Sequence, residues 1–364
     1  MRILHVYKLY YPDSFGGVEE NIRQISRITQ QFGYEHRVYS LSPNPIPDVI
    51  VNKEITIFRS KYFANVKSTP LGGFDAFAKF AELSTWADVV AYHYPWPFMD
   101  LLMFVQADRP AYLFYQCEIT RQRILKYLYA PLRRITFSKT RRIAVSNPNI
   151  LQTSNILQRY QDKVSIIPLS ISENSTVPDD IWFDSLGIKQ PFILFFGVLR
   201  YYKGLSYLIS AGADVNADIV IAGDGPEREN LMAQTDDLNL KTVHFIGRVN
   251  DSQKKTLYQK CSVFAFPSCY RSESYGMALA EASMYGKAMV SCEIGTGTSW
   301  INKDGETGFV VPPKDSKALG KALKTLIKDR VLCEKLGKSA RKRYEEYLSP
   351  DRHAENIRKF FEDF

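Results

Sequence analysis

Short apolar runs of strand length alternate with longer amphipathic stretches along the whole chain. In the first half, strand-like runs lie at residues 2–7, 36–41, 55–59, 88–93, 111–116, 142–145 and 164–168, with helix-like stretches such as 17–31 and 74–83 between them. Strands that alternate with helices are typical of a parallel sheet covered by helices on both faces. The first half is therefore predicted to be a doubly wound α/β domain.

The second half repeats this alternation. Its strand-like runs lie at 192–196, 218–222, 243–246, 263–266, 288–291 and 308–311, and polar helices are predicted at 316–329, 330–346 and 351–364. Residues 171–191 are rich in Ser, Asp and Pro and show no periodicity, as expected of a linker. Because 364 residues also suit two domains of roughly 150–180 residues each, we predict one domain at 1–172 and a second at 173–349.

Composition restricts the class of protein. Hydrophobic residues make up 45% and charged residues 24%, which is typical of a globular chain. No apolar run approaches the ~20 residues that span a bilayer, and the first residues look like a strand and not a secretory signal. The 5 cysteines are scattered without Cys-x-x-Cys spacing, which favours free thiols in a reducing cytoplasm over a zinc site.

The net charge of +8 is concentrated in residues 121–142, which contain basic residues and no acid. The basic residues are Arg121, Arg123, Lys126, Arg133, Arg134, Lys139, Arg141 and Arg142, with apolar residues between them. Such a segment suits an anionic membrane surface. The alternative is an ordinary helix that packs its apolar face on its own domain. Nucleic acid is not expected as a partner, because no recognised binding motif accompanies the charge.

The segment from Glu273 to Glu281 has the most specific pattern. A Ser-Tyr-Gly turn follows Glu273, and a run of helix formers begins near Gly276. The free N–H groups and the dipole of a helix start favour an anion such as a diphosphate. Carboxylates on either side suit a hydroxyl-rich ligand, so the site would fit a nucleotide sugar. The alternative is a solvated helix with two unrelated acids.

Three further motifs accompany the two glutamates: Gly16-Gly17 before the first long helix, Lys203-Gly204 after an apolar strand, and Gly-Asp-Gly-Pro at 223–226. In this order they resemble the retaining nucleotide-sugar glycosyltransferases of family 4, from residue 1 to at least Pro313. The resemblance implies the GT-B fold, with two Rossmann-like doubly wound domains facing a cleft. It also implies that the terminal helix, residues 350–364, packs back on the first domain.

The resemblance assigns donor-binding roles to residues of both domains. Glu281 is similar to the family's ribose-binding carboxylate and Glu273 to the one that contacts the transferred sugar. A cation at Lys203 would stabilise the departing diphosphate. The full set of expected donor-binding residues is Gly16, Gly17, Arg200, Lys203, Arg248, Val249, Glu273, Ser274, Tyr275, Gly276, Met277 and Glu281. Family members usually carry Arg where this chain has Val198, so Arg200 is expected to take part of the phosphate role.

Two residues of the first half are candidates on the acceptor side. His93 follows a buried strand and could orient the acceptor or bind the donor sugar, so it joins Lys203 and Glu273 as a catalytic candidate. Its alternative is a histidine packed among aromatic residues. Glu118 stands where many family members have another histidine, and is an acceptor-side candidate. Without an Asp-x-Asp motif, no metal or other cofactor is expected.

The resemblance therefore implies a retaining, metal-independent hexosyltransferase. It looks most similar to bacterial mannosyltransferases that use GDP-mannose to build O-antigen or another surface polysaccharide on a polyprenyl-diphosphate lipid. The expected location is cytoplasmic and peripheral, on the inner face of the plasma membrane, with contact through Arg133, Arg134, Arg141 and Arg142. The alternatives are a UDP-sugar-dependent transferase, a nucleotide-sugar epimerase of the same fold, and a non-catalytic nucleotide-binding subunit.

Overall fold

The structure is a computed structural model that describes residues 1–66, 69–116, 123–173 and 175–362. It divides into two compact units. The first unit contains residues 1–169 and 353–364, and the second contains residues 170–352. Each unit is built on a sheet that is mainly parallel and is flanked by helices.

The first unit has a sheet whose strand order is β3-β4-β2-β1-β6-β7-β8-β9 over the described residues, with β5 paired to β4. The strands are β1 (Arg2–Val6), β2 (Glu35–Ser42), β3 (Val49–Val51), β4 (Thr56–Val66), β5 (Thr69–Gly72), β6 (Val89–Tyr94), β7 (Ala111–Tyr115), β8 (Arg142–Val145) and β9 (Val164–Ile166). Strands β3 and β5 run antiparallel to β4, and the other pairs are parallel. Strand β1 therefore lies inside the sheet, between β2 and β6.

Helices cover both faces of this sheet. They are α1 (Gly17–Thr29), α2 (Phe74–Trp86), α3 (Pro97–Leu102), α4 (Arg123–Lys139), α5 (Pro148–Thr153) and α6 (Asn155–Gln158), joined by the last helix of the chain, α15 (Pro350–Glu362). Because side chains alternate along a strand, Tyr92 and Leu113 pack in one core with Phe80 of α2. On the opposite face, Phe114 packs with Phe361 of α15.

The second unit has an all-parallel sheet of order β12-β11-β10-β13-β14-β15. The strands are β10 (Phe192–Phe196), β11 (Asp218–Ala222), β12 (Val243–Gly247), β13 (Val263–Phe266), β14 (Ala288–Cys292) and β15 (Gly308–Val311). The helices are α7 (Asp180–Ser185), α8 (Leu205–Gly212), α9 (Arg228–Asp237), α10 (Asp251–Lys260), α11 (Met277–Met284), α12 (Gly297–Ile301), α13 (Ser316–Lys328) and α14 (Arg330–Arg343). Their apolar side chains form a separate core around β10.

The structure differs from the sequence-based expectation in several elements, among them β4, which extends to Val66 where a strand at 55–59 was predicted. Strands β3 and β5 were not predicted, and helix α7 lies inside the stretch taken as a linker. Asp179 explains α7, because its carboxylate accepts a hydrogen bond from the N–H of Trp182 at 3.1 Å and caps the helix. The helix predicted to reach residue 346 ends at Arg343 and continues as a π-helical turn, Tyr344–Leu348.

Across the described residues, no helix combines the length and the apolar character needed to cross a membrane. Four cysteines, Cys261, Cys269, Cys292 and Cys333, are free and buried. Burial raises the pKa of each of these thiols.

Candidate functional site

A largely buried ion pair lies beside the carboxyl ends of β10 and β13. The Nζ atom of Lys203 donates to Oε2 of Glu273 at 2.5 Å, and the two side chains are only 13% and 12% exposed. The hydroxyl of Ser268 reaches the same carboxylate oxygen at 3.4 Å. Lys203 is delivered by a short 3-10 turn that ends at Gly204, whose φ is +67°. A Cβ at Gly204 would lie 2.1 Å from the carbonyl oxygen of Pro267, so only glycine allows this approach.

Helix α11 begins directly after this ion pair. Gly276 precedes its first residue with φ +94°, and Met277 opens the helix. Of the first-turn N–H groups, that of Leu279 donates to the carbonyl oxygen of Gly276 at 2.9 Å, whereas those of Met277 and Ala278 have no intrahelical partner and are available to an anion. Ser274 is exposed on the approach to the helix, whereas the side chain of Tyr275 is buried at 5% exposure. Any contact of Tyr275 with a ligand at this turn would therefore come from its backbone.

The second predicted glutamate is held by two side chains of α10. Lys254 donates to Oε1 of Glu281 at 3.0 Å, and the Tyr258 hydroxyl donates to Oε2 at 2.9 Å. Lys254 and Tyr258 are four residues apart and so share one face of α10. Each carboxylate oxygen has a second lone pair, so Glu281 remains able to accept from ligand hydroxyls. Sequence reasoning missed Lys254 and Tyr258.

An open cavity of about 660 Å³ lies in the second unit, at the loops that follow β10, β11 and β12. Its lining contains three predicted residues, Arg200, Arg248 and Val249. Arg248 is 86% exposed and lies 3.5 Å from an oxygen of Asp224. The lining also contains Phe196, Gly197, Val198, Gly223, Asp224, Gly225 and Pro226. The Nζ atom of Lys203 lies 3.9 Å from where a Cβ of Gly197 would stand, which places the ammonium group beside this cavity.

The Gly-Asp-Gly-Pro turn is required for this cavity wall. A Cβ at Gly225 would lie 2.5 Å from the carbonyl oxygen of Leu199, and one at Gly223 would lie 2.0 Å from that of Gly197. Any side chain at either glycine would push the loops after β10 and β11 apart. The turn therefore sets the position of Arg200, which follows Leu199.

The remaining predicted residues lie in the first unit. Gly16 stands in extended conformation before α1 and Gly17 is the first residue of that helix. A Cβ at Gly16 would lie 2.8 Å from Oε2 of Glu19, whereas a Cβ at Gly17 would meet nothing within 4 Å. Gly16 thus allows the Glu19 carboxylate to fold back over the loop. Glu118 falls outside the described residues.

His93 does not face a loop, which corrects the prediction of a ligand contact. Its side chain is fully buried, and its ring stacks on Phe114 with centroids 4.9 Å apart. All six residues of β6 are buried, because helices cover both faces of the sheet. Although His93 lies near the end of β6, its imidazole is therefore not exposed. The alternative of a histidine packed among aromatic residues describes it better.

His93 is the end of a hydrogen-bonded chain of three histidines. His93 Nε2 lies 3.0 Å from His5 Nδ1, His5 Nε2 lies 3.0 Å from His36 Nδ1, and His36 Nε2 lies 2.7 Å from Thr29 Oγ1. The Thr29 hydroxyl gives its only proton to the carbonyl oxygen of Ile25 at 2.6 Å, so Thr29 must accept from His36. Each imidazole then donates from Nε2 and accepts at Nδ1, and all three are neutral.

Burial enforces this neutral state. It lowers the pKa of His36 and His93 to about 3 each, and the pKa of His5 well below its usual value. The amino terminus adds to the lowering at His36. At the His93 end of the three hydrogen-bonded histidines, Nδ1 of His93 has no hydrogen-bond partner among the described residues.

The basic segment is only partly a solvated surface. Arg134 and Arg141 are exposed, whereas Arg133 and Arg142 are half-buried. The Nε atom of Arg133 is buried near Asp100 of α3, whose carboxylate accepts from Tyr129. Burial raises the pKa of Asp100 to about 7. Helix α4 therefore packs one face against α3, and Arg133 belongs to that packed face.

Among the described residues, no group of three or more His, Cys, Asp or Glu side chains is arranged to hold a metal ion. The three histidines do not form such a group either, because the ring nitrogens that face one another are joined by hydrogen bonds.

Comparison with known proteins identifies relatives over almost the whole chain. The family model described as glycosyl transferases group 1 matches residues 179–343. A D-rhamnosyltransferase of Pseudomonas aeruginosa is 39% identical over 355 residues, which cover 96% of this chain and 92% of that protein. The O-antigen chain mannosyltransferase C of Escherichia coli is 35% identical over 356 residues, covering 96% of this chain and 95% of that protein.

Solved structures agree on the fold. The Anabaena protein HepE in complex with UDP superposes with a TM-score of 0.78 at 19% identity and covers 100% of both chains. Sucrose-phosphate synthase from Thermosynechococcus elongatus gives a TM-score of 0.76 at 18% identity, covering 100% of this chain and 98% of that chain. At such low identity these similarities establish the fold alone.

Proposed function

We propose a specific reaction for this chain, which belongs to the group 1 glycosyltransferases and has the two Rossmann-like units of the GT-B fold. In this proposal the protein transfers a hexose from a nucleoside diphosphate sugar to a saccharide acceptor, with retention of configuration. The observation that carries it is the Lys203–Glu273 pair beside the cavity of the second unit. It places a cation and a carboxylate at the start of α11, where a sugar diphosphate needs both.

The geometry supports a role for each side chain. Lys203 has three N–H donors; one is used by Glu273, and the others can bind phosphate oxygens as charge develops on the leaving diphosphate. The N–H groups at the start of α11 add to this stabilisation. Glu281, held by Lys254 and Tyr258, accepts from the ribose hydroxyls. Glu273 contacts the transferred sugar.

Retention then follows a front-face path in this proposal. The departing phosphate oxygen takes the proton of the attacking hydroxyl, so the new glycosidic bond forms on the face from which the diphosphate leaves. No metal cofactor is needed in this scheme, because Lys203, Arg200 and the N–H groups of α11 supply the positive charge. The family resemblance supports the front-face path, and the charges of the site support a metal-free reaction.

For the donor we propose GDP-mannose. Support comes from the two relatives aligned over more than nine tenths of their lengths, one named as a mannosyltransferase and the other as a D-rhamnosyltransferase. D-rhamnose is 6-deoxy-D-mannose, so both names point to a sugar of mannose configuration. The second candidate is accordingly the 6-deoxy sugar carried on the same nucleotide. A UDP-hexose finds less support in these names.

For the acceptor we propose a saccharide on a polyprenyl-diphosphate lipid, in the synthesis of O-antigen or a similar surface polysaccharide. The name of the Escherichia coli relative supports this pathway. The protein would work peripherally on the inner face of the plasma membrane. Exposed basic residues lie near exposed apolar ones on the first unit: the ammonium of Lys139 stands 4.9 Å over the ring of Phe104, which is 55% exposed, and Ile135 is 40% exposed.

Lys203 provides the decisive experiment. Nucleoside diphosphate release should be measured with donor and acceptor for the wild type, Lys203→Ala and Lys203→Gln, with Lys335→Ala as the exposed-lysine control. The Gln variant can still donate to Glu273 and so guards against a folding defect. Both Lys203 variants should lose about 10²–10³ in kcat, and Lys335→Ala should match the wild type. A folded Lys203 variant with wild-type turnover would refute the assignment.

The same assay separates the alternatives. Growth of a glycoside product together with nucleoside diphosphate release supports a transferase. Isomerisation of the donor sugar without an acceptor would indicate an epimerase. Donor binding without either reaction would indicate a nucleotide-binding subunit.

A further inference from the structure

The first unit contains a cavity of its own, with a volume of about 670 Å³. It lies between the loop that follows β1, the first turns of α1 and the turn Asn52–Ile55 that precedes β4. Its volume falls within the ~300–1,000 Å³ typical of small-molecule sites. Gly16 is the one residue among the predicted donor contacts that lines it.

One wall of this cavity is aromatic and open to solvent. Phe15 is 76% exposed and Tyr11 is 47% exposed, and their rings meet edge to face with centroids 5.0 Å apart. Tyr10 lies behind them and is buried. Exposed aromatic pairs of this size are uncommon on a surface that meets only water. The flat C–H face of a pyranose is a chemically suitable partner for such a wall.

The lining also contains the carboxylate of Glu19. Glu19 is nine-tenths buried, and its Oε1 accepts from the Ser14 hydroxyl at 2.5 Å. Its Oε2 has no hydrogen-bond partner in the described part of the chain and is directed over Gly16. A carboxylate oxygen can accept two hydrogen bonds, so Oε2 is able to accept from a ligand in the cavity. Vicinal sugar hydroxyls are donors of the required kind.

The charges of the cavity disfavour an anionic ligand. Its lining contains the acids Glu19, Glu20 and Glu54 and the bases Arg23 and Lys53, so the formal sum is −1. Arg23 donates to Glu20 at 2.9 Å and lies 3.6 Å from Glu54, so that its charge is already paired. Lys53 has no acid partner among the described residues, but it is exposed to solvent, so a phosphate or diphosphate would find little positive charge inside the cavity. A neutral polyhydroxylated ligand meets no such penalty.

We propose that this cavity is a subsite for one neutral hexose of the acceptor saccharide. The sugar packs its apolar face on Phe15 and Tyr11 and donates a hydroxyl to Oε2 of Glu19. The identity of the ligand rests on the proposed glycosyltransferase function. The site itself is formed by residues of the first unit alone. Phe15, Tyr11 and Glu19 are thereby assigned to acceptor selection and not to the donor.

Binding should be tested first, without any reaction. Saturation-transfer NMR with methyl α-D-mannopyranoside as the probe reports contact between a hexose and the protein. The wild type and a control, Phe63→Ala, should both show transfer; Phe63 is an aromatic residue of the same unit with a similar exposure of 73%. Phe15→Ala and Glu19→Gln should lose it, and inorganic phosphate should not compete. Equal transfer in all four proteins, or displacement by phosphate, would overturn the subsite.

Kinetics then separate this inference from the proposed function. Phe15→Ala should raise the acceptor KM about tenfold, the effect expected from one lost aromatic contact, while the donor KM stays constant. Unchanged acceptor KM in Phe15→Ala and Glu19→Gln would overturn the subsite and leave the transferase assignment intact. A wild type that binds the mannoside through Phe15 yet transfers no sugar would support the subsite and refute the proposed function.

Discussion

The buried histidines make the stability of the first unit depend on pH between 7.5 and 5.5. In the folded state burial keeps His5, His36 and His93 neutral at both pH values. In the unfolded chain their imidazoles titrate near 6.5. Because the folded pKa is depressed, their contribution to stability is complete above about pH 7 and is lost as the pH falls below 6.5.

The magnitude follows from linkage. At pH 5.5 an imidazole takes up a proton in the unfolded chain but stays neutral in the folded state. Each such imidazole therefore lowers the free energy of unfolding by about 1.4 kcal/mol. His353, whose pKa is lowered to about 4 by burial, adds a fourth. Asp100 acts in the opposite direction. Because its pKa in the folded state is about 7, the folded protein takes up this proton at a higher pH than the unfolded chain does, which raises the free energy of unfolding by about 2 kcal/mol. The net loss is about 3–4 kcal/mol, a large part of an ordinary stability of ~5–15 kcal/mol.

Urea denaturation at the two pH values measures this loss. Replacing Trp182 and Trp300 of the second unit by Phe leaves Trp86 and Trp96 as fluorescence reporters of the first unit. In this background His36→Gln should show a pH dependence smaller by about 1.4 kcal/mol. His244→Gln is the matched control, because His244 lies in the second unit and outside the histidine chain.

Two outcomes would refute the reasoning. One is a free energy of unfolding that does not fall between pH 7.5 and 5.5 in the reporter protein. The other is an equal pH dependence in His36→Gln and His244→Gln, which would mean that His36 takes up its proton as readily in the folded state as in the unfolded chain.

Three further predictions concern the proposed function. Glu281→Gln should weaken nucleotide binding, because a neutral amide accepts less strongly from two ribose hydroxyls; calorimetric titration that finds unchanged nucleotide affinity but altered sugar selectivity would mean that the roles of Glu281 and Glu273 are interchanged. EDTA should leave turnover intact, and loss of activity with rescue by magnesium or manganese would contradict the metal-free scheme. Sedimentation with vesicles should require anionic lipid and decrease with salt, and replacing Arg134 and Arg141 by Gln should release the protein; a variant that still pellets like the wild type would contradict membrane contact through these two residues.

Local features of the sequence were sufficient to single out Lys203 and Glu273, which the structure brings together. Lys203 and Glu273 follow apolar strands closely, and glycine turns mark the loops that carry them, so short stretches contain the information. The strands of the second unit were predicted within one residue for the same reason: each is a continuous apolar run, buried on both faces.

Features that depend on distant parts of the chain were not found. Lys254 and Tyr258 looked like ordinary positions of a polar helix, and only the packing of α10 beside α11 brings them to Glu281. The burial of His93 depends on the strand pairing that brings His5 and His36 beside it. A signal existed, since all three histidines occupy positions in predicted strands, but the register that joins them is not local.

The first unit is assembled from two separate stretches of chain, and this determines when it can fold during synthesis. Its second core is closed by Ile357, Phe360 and Phe361, which pack on Tyr112 and Phe114. Those residues leave the ribosome only after the whole second unit has been made. The second unit is continuous and can fold as soon as it emerges. The half of the protein that is translated first therefore completes its core last, and until then one aromatic face of its sheet is incompletely covered.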